Sequence, residues 1–140
     1  MSINELQDEI IEEFEAFDEW LERYNLICDY GRELKKNPMP EEDKTELNKI
    51  DGCQSDVWFT CHMEDGKMII KGDADALLVK GLVALLLHVL NGHTPKEILD
   101  ADLYFIDRVG LREHLNPTRS NGVVAMLKQI RLFALAYQAK

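Results

Sequence analysis

Apolar residues near the start of the chain recur every three or four positions, the spacing of a helix with one buried face. The first set is Leu6, Ile10, Phe14 and Phe17. Ser2 and Glu5 just before it have the spacing of a capping box. A second periodic run extends from Trp20 to Leu34, with Asp18 placed to cap it and Pro38 placed to stop it. We therefore predict two amphipathic helices in this part of the chain.

The hydrophobic period changes to two from Val57 onward. Alternate residues from Val57 to Met63 are apolar, which predicts a strand with one buried face. Asp65-Gly66 is a strong tight-turn dipeptide, and the residues from Lys67 to Lys71 supply a returning strand. Ile50 just upstream is a candidate for a third strand. We predict an antiparallel sheet of about three strands.

Helical periodicity returns in the second half. Apolar residues cover most of the circumference of a helix over 77–89, which predicts deep burial. The sequence Thr94-Pro95-Lys96-Glu97 has the capping signals of a short helix, and further helices are predicted over 107–114 and 120–138. Helices and strands are segregated along the chain. The pattern predicts one α+β domain over residues 1–140, with the sheet packed against helices from both ends.

Composition restricts the partners and the compartment. The chain has 26 acidic and 16 basic residues, a net charge of −10, which argues against a nucleic-acid partner because such partners are bound through cations on phosphates. No apolar stretch approaches the roughly 20 residues of a membrane span, and the acidic first residues do not resemble an export signal. Three cysteines cannot complete a disulfide framework. We expect a cytoplasmic protein without membrane association.

Cys53 has unusual surroundings for an unpaired cysteine. Most free thiols are buried as small apolar groups. The neighbours of Cys53 are polar or small instead: Asp51, Gly52, Gln54 and Ser55. Gly52 has no side chain to obstruct an approaching group, and it can adopt backbone conformations that are closed to other residues. From the residues alone, a reactive thiol and a buried structural one both remain open.

The segment Gly52-Cys53-Gln54-Ser55-x-Val57-Trp58 resembles the cysteine loop of the SufE family. The resemblance continues through four further blocks in the family's order and covers nearly the whole chain. These blocks are Gly72-Asp73-Ala74-Asp75-Ala76, Val79-Lys80-Gly81-Leu82, Thr94-Pro95-x-Glu97-Ile98, and Leu115-x-Pro117-x-Arg119-x-x-Gly122 with Ala125-Met126. One departure is Ala74, where many relatives have serine, so any hydrogen bond from that hydroxyl is missing here.

The resemblance implies a SufE/IscU-like fold and a function in iron–sulfur cluster assembly. SufE proteins accept sulfur from SufS-type cysteine desulfurases, which they stimulate. Cys53 would take persulfide sulfur from the desulfurase and pass it to a SufBCD-type scaffold. The chain would then be a relay rather than an enzyme. It would need no metal or cofactor of its own, because the pyridoxal phosphate belongs to the desulfurase. We expect Asp51, Gly52, Gln54, Ser55 and Arg119 to shape the loop and contact this partner.

The charges around Cys53 suggest that its thiol is not activated in the free protein. Asp51 and Asp56 lie close in sequence, and a nearby negative charge disfavours a thiolate. We therefore predict that the pKa of Cys53 is no lower than the ordinary value of roughly 8.5, and that docking to the desulfurase supplies the activation.

Arg119 has two interpretations at this stage. It stands at the start of the last predicted helix, where a cation is unfavourable to the helix dipole, so a specific partner is expected. That partner is either another protein or a structural carboxylate, Asp73 or Asp75.

Other functions stay open as well. Cys28 and Cys61 fall on predicted apolar faces and are expected to be core residues. If all three thiols met instead, the chain would be an IscU-like cluster scaffold. If one of the four histidines activated Cys53, the chain would be a thiol hydrolase. The sequence does not fix the oligomeric state, and a homodimer is one option.

Overall fold

The computed structural model describes residues 1–139. Its elements, in chain order, are α1 (Ile3–Glu15), α2 (Trp20–Lys35), a 3₁₀ turn (Glu41–Asp43), β1 (Val57–Glu64), β2 (Lys67–Ala74), α3 (Leu77–Leu90), α4 (Pro95–Asp100), α5 (Phe105–Arg108), α6 (Leu111–His114) and α7 (Pro117–Gln138). This is an α+β fold in which helices from both ends of the chain cover a small antiparallel sheet. Within residues 1–139, no helix combines the length and apolarity needed to cross a membrane.

The two N-terminal helices form as predicted, apart from one cap. Ser2 Oγ accepts a hydrogen bond from Glu5 N at 3.1 Å, and Glu5 Oε1 accepts one from Ser2 N at 3.0 Å, so the capping box is present. The prediction of Asp18 as the cap of α2 is wrong. Glu19 occupies the cap position without a side-chain hydrogen bond.

The sheet has two strands, so the prediction of about three is corrected. β1 and β2 pair from Val57 with Ala74 to Glu64 with Lys67, and Asp65-Gly66 makes the tight turn. Next to β1, the segment 48–50 forms only an isolated bridge between Lys49 and Trp58. The amides of Asn48 and Lys49 bond back to Thr45 O, and the chain turns again at Gly52, so too few residues lie between the two turns to form a strand.

α3 is the central helix, and it contacts α1, α2, β2 and α7. Its approach to α2 is so close that both helices need glycine at the crossing. A Cβ on Gly81 would lie 2.0 Å from Ile27 O, and a Cβ on Gly31 would lie 2.5 Å from Leu77 O. The backbones therefore pack directly against each other.

The C-terminal third differs from the prediction in two helix boundaries. The helix predicted over 107–114 is two short helices, because Gly110 breaks it with φ +88. α7 begins at Pro117 rather than at residue 120, and Asn116 caps it by accepting a hydrogen bond from Arg119 N at 2.9 Å. The predicted capping box of α4 at Thr94 and Glu97 is confirmed.

Asp73 is the centre of a buried polar network at the end of β2. Its carboxylate is 1% exposed and accepts hydrogen bonds from Lys80 Nζ at 2.7 Å, Ala74 N at 2.8 Å and Met39 N at 3.1 Å. Burial opposes ionisation, but these hydrogen bonds outweigh it and lower the pKa of Asp73 below its ordinary value. The network ties the sheet to the start of α3 and to the segment before the 3₁₀ turn.

Replacing Gly81 with alanine is expected to destabilise the protein by about 3 kcal/mol, because an added Cβ overpacks the crossing against backbone that cannot yield easily. Gly122→Ala is the matched control. It also adds a methyl group in a helix, but this Cβ meets only Cys53 Sγ at 3.7 Å, an ordinary contact. The control should be neutral or gain up to about 1 kcal/mol in helix propensity. Urea unfolding measures the stability of both variants. An equal loss in the free energy of unfolding for Gly81→Ala and Gly122→Ala would contradict the close crossing.

Asp73→Asn is expected to cost about 3 kcal/mol at neutral pH, because it leaves the half-enclosed Lys80 ammonium without its counter-charge. Since the folded pKa of Asp73 is lowered, its stabilisation is present above the unfolded pKa of about 3.9 and is lost as the pH falls below that value. The difference in the free energy of unfolding between the wild type and Asp73→Asn should therefore become smaller in acid. The exposed Asp75→Asn is the control for urea unfolding at both pH values. A loss that is the same for both variants, or independent of pH, argues against the network.

Candidate functional site

Cys53 stands on a short loop between the Lys49 bridge and β1, and the loop is held against α7. Gly52 has φ +90, a conformation that L side chains rarely adopt, and a Cβ there would lie 3.2 Å from Ala125 Cβ of α7. Both the backbone conformation and the close approach therefore favour glycine before the cysteine.

The thiol of Cys53 points toward the helix and is half-buried. Its Sγ lies 3.6 Å from Gly122 O, with the S–H as donor. Apolar side chains of α3 and α7, namely Val79, Leu82 and Met126, line the same small cavity of about 10 Å³. That space is close to what one water molecule needs, so the cavity beside the half-buried thiol is too small for a larger ligand.

Burial raises the pKa of Cys53 above its ordinary value. The sequence predicted this direction, but from the wrong cause. The Asp56 carboxylate forms an ion pair with Lys49 Nζ at 2.9 Å, which offsets its charge. Desolvation, not a neighbouring acid, keeps the thiol protonated.

Arg119 binds the cysteine loop directly. Its Nη1 donates a hydrogen bond to Ser55 Oγ at 2.7 Å. The alternative of an ion pair with Asp73 or Asp75 is wrong: among residues 1–139, no carboxylate oxygen lies within 4.0 Å of the guanidinium. Asp73 is occupied by Lys80 and by backbone amides. Arg119 therefore fixes the loop and keeps an unneutralised positive charge beside it.

The predicted site residues divide into two groups around the loop. Cys53, Gln54, Ser55 and Arg119 line the small cavity. Asp51 and Gly52 instead line a larger groove of about 790 Å³ on the other side of the loop. Sequence reasoning did not identify Gly122 as the contact of the thiol, although a glycine inside a predicted helix was a usable signal.

Exposed apolar side chains lie along that larger groove. Leu47 is 93% exposed, Val124 53% and Leu132 48%, and all three line it. They were not predicted either. For two of them the sequence carried a signal, because Val124 and Leu132 do not share the spacing of three and four residues that joins the buried positions Val123, Met126, Ile130 and Ala134. A group of exposed apolar residues of this kind typically marks a surface that contacts another protein.

The other thiols and the histidines lie elsewhere. Cys28 is buried on α2, and Cys61 is a half-buried residue of β1 packed against the core. Within residues 1–139, no group of three His, Cys, Asp or Glu side chains could hold a metal ion, which gives the cluster-scaffold alternative no support. Of the described residues, no histidine or carboxylate lines the Cys53 cavity, so the thiol-hydrolase alternative lacks its base.

Fold and site together define an α+β domain that carries a half-buried cysteine on a loop. Residues 8–134 match the family model described as SufE, an Fe–S metabolism associated domain. An uncharacterized SufE-like protein of Synechocystis sp. is 44% identical over 129 residues, covering 92% of this chain and 80% of that protein. One from Rhizobium meliloti is 38% identical, covering 89% and 91%.

The chain belongs to the SufE family, which associates it with iron–sulfur metabolism. The fold is also similar to the solution structure of a hypothetical protein from Thermus thermophilus. The TM-score is 0.77 at 23% identity, and the match covers 96% of this chain and 97% of that one.

Because burial raises the pKa of Cys53, its thiolate fraction near neutral pH should be smaller in the folded protein than in the unfolded chain. Alkylation should therefore be slower in buffer than in urea, and the rate–pH profile should give an apparent pKa above about 8.5. A Cys28→Ala/Cys61→Ala background isolates the Cys53 signal. Faster reaction in the folded state, or an apparent pKa near neutrality, would show that the thiol is activated.

Proposed function

We propose that the protein is a sulfur acceptor and activator of a SufS-type cysteine desulfurase in the cytoplasm. The observation that carries this proposal is the half-buried thiol of Cys53, presented on a loop, with no carboxylate, histidine or metal-binding cluster among the described residues that line its cavity. Such a site lacks the parts needed to catalyse a reaction alone. It has what a carrier of one sulfur atom needs, namely a nucleophile that becomes reactive only with a partner.

The transfer is a displacement at sulfur. The Cys53 thiolate attacks the outer sulfur of the persulfide on the desulfurase, the donor's S–S bond breaks, and a new S–S bond forms on Cys53. The electron pair of the broken bond leaves with the donor cysteine, which takes up the proton that the Cys53 thiol loses. No oxidant or reductant is consumed, and the chain needs no cofactor of its own.

The surroundings of the loop support a protein as the donor. Leu47, Val124 and Leu132 expose apolar surface along the groove that Gly52 also lines. On the Ser55 side of the loop, Arg119 carries a positive charge that has no carboxylate partner within residues 1–139. Apolar anchors beside an available arginine are typical of interfaces between proteins. We propose that the loop residues Asp51, Gly52, Gln54 and Ser55 lie in the middle of this interface.

A SufBCD-type scaffold is the recipient that we propose for the sulfur, on the basis of the family. A thiolate of the scaffold would attack the outer sulfur of the persulfide on Cys53. This is the same displacement, with Cys53 now as the sulfur donor. The half-buried position of Cys53 is useful between the two steps, because reduced access slows the attack of small thiols in the cytoplasm on a persulfide.

Incubation with the desulfurase, pyridoxal phosphate and free cysteine should add the mass of one sulfur atom to the protein, located at Cys53 by peptide mapping. Cys53→Ser should abolish both this gain and the stimulation of desulfurase turnover, because the acceptor thiol is gone. Cys28→Ala and Cys61→Ala are the matched controls and should load normally. Loading at Cys28 or Cys61, or full stimulation by Cys53→Ser, would refute the proposal.

A further inference from the structure

A second groove, of about 640 Å³, lies next to the Cys53 cavity, and we call it the aromatic groove. Trp20 and Tyr24 of α2 form one wall, and Leu77 and Leu78 at the start of α3 form another. His114 of α6 and Arg119 of α7 complete it. Arg119 also lines the Cys53 cavity, so the two sites are adjacent, with this side chain common to both.

The walls of the aromatic groove are flat and apolar. The rings of Trp20 and His114 stack with centroids 4.6 Å apart and 17° between their planes. Tyr24, Leu77 and Leu78 are half-buried, so each leaves apolar surface toward the groove. A volume of this size lies in the range of specific ligand sites and accommodates a few side chains.

The charge of the aromatic groove is opposite to that of the protein. The chain has 26 acidic residues, yet among the described residues none lines this groove. Arg119 donates to a neutral serine hydroxyl and has no carboxylate partner within residues 1–139. Four acidic residues adjoin lining residues in sequence, and all are exposed: Glu19, Asp29, Asp75 and Glu113. Asp29 pairs with Arg32, and Glu113 lies 3.9 Å from His114 Nε2. An acidic ligand would therefore meet the Arg119 cation without an acidic side chain in the lining to repel it.

We infer that the aromatic groove docks a segment of the cysteine desulfurase that carries an acidic side chain flanked by apolar residues. The inference rests on the proposed function, because the groove is adjacent to the site where that enzyme would deliver sulfur. The carboxylate pairs with the Arg119 guanidinium, and the apolar neighbours lie against Trp20, Tyr24 and Leu78. A planar guanidinium suits two-point binding of a carboxylate.

The test places opposite charges, on side chains of similar length, at one position of the groove wall. Leu78→Glu and Leu78→Lys place side chains of similar length at the same half-buried position. Leu78 is in the first turn of α3, where the helix dipole favours an acid and disfavours a base, so the Glu variant is the better folded of the two. If the Glu variant binds the desulfurase more weakly than the Lys variant, the difference therefore cannot be attributed to poorer folding of the Glu variant.

Affinity for the desulfurase is measured by isothermal titration. We expect Leu78→Glu to raise the Kd about tenfold or more, because like charges meet across the interface. Leu78→Lys should leave the Kd unchanged or lower it. The difference should shrink at high ionic strength. Tyr24→Glu and Tyr24→Lys repeat the comparison on the α2 wall, which keeps the test decisive if the Leu78 variants do not fold.

Three results overturn the inference. Equal affinities of the Glu and Lys variants would show that no charged segment occupies the groove, and weaker binding of the Lys variants would show a basic occupant. If the Glu variants dissociate a dimer of this chain and bind the desulfurase normally, the occupant is a second copy. A separate measurement tests the proposed function: the sulfur loaded onto Cys53 of the wild-type protein at saturating desulfurase. Normal loading with equal variant affinities overturns only the groove, whereas absent loading overturns the proposed function.

Discussion

The close crossing of α2 and α3 is the constraint on which the rest of the structure depends. Gly31 and Gly81 let the two backbones touch, and this contact fixes where the first turn of α3 lies. Val79 and Leu82, on the first two turns of α3, line the cavity beside Cys53, while Leu77 and Leu78 line the aromatic groove. Any larger residue at the crossing would move α3 outward, and both sites would lose a wall.

The cysteine loop is held by few contacts, and most of them come from α7. The Gly122 carbonyl accepts from the thiol, the Ala125 methyl group packs near Gly52, and Arg119 bonds Ser55. These contacts lie within two turns of one helix. A partner that binds this stretch of α7 therefore acts on the loop as a unit, which explains why a loop with so little secondary structure still places the thiol in a defined position.

The sequence was informative where local chemistry determines structure and less so where distant segments meet. The capping boxes at Ser2 and Thr94, the Asp65-Gly66 turn and the buried α3 all follow from neighbouring residues. The family resemblance identified Cys53 and Arg119. The Ser55 contact of Arg119 joins residues 64 positions apart, and the Gly122 contact of Cys53 joins residues 69 apart. No periodicity encodes such pairings. The sequence therefore suggested Asp73 or Asp75 as the structural partner of Arg119, whereas the partner is Ser55.

The cause of the raised pKa at Cys53 matters for how a relay works. A thiol kept neutral by fixed acids would stay neutral in any complex, because those charges move with the protein. A thiol kept neutral by burial is different: its pKa returns toward the ordinary value of about 8.5 when the loop moves into a more polar environment, and a positive charge there lowers it further. Since Lys49 already neutralises Asp56, that carboxylate does little to oppose the change. Under the proposed function, docking therefore activates the nucleophile in two ways, by uncovering the thiol and by bringing a positive charge near it, and the return of the loop to α7 reverses both.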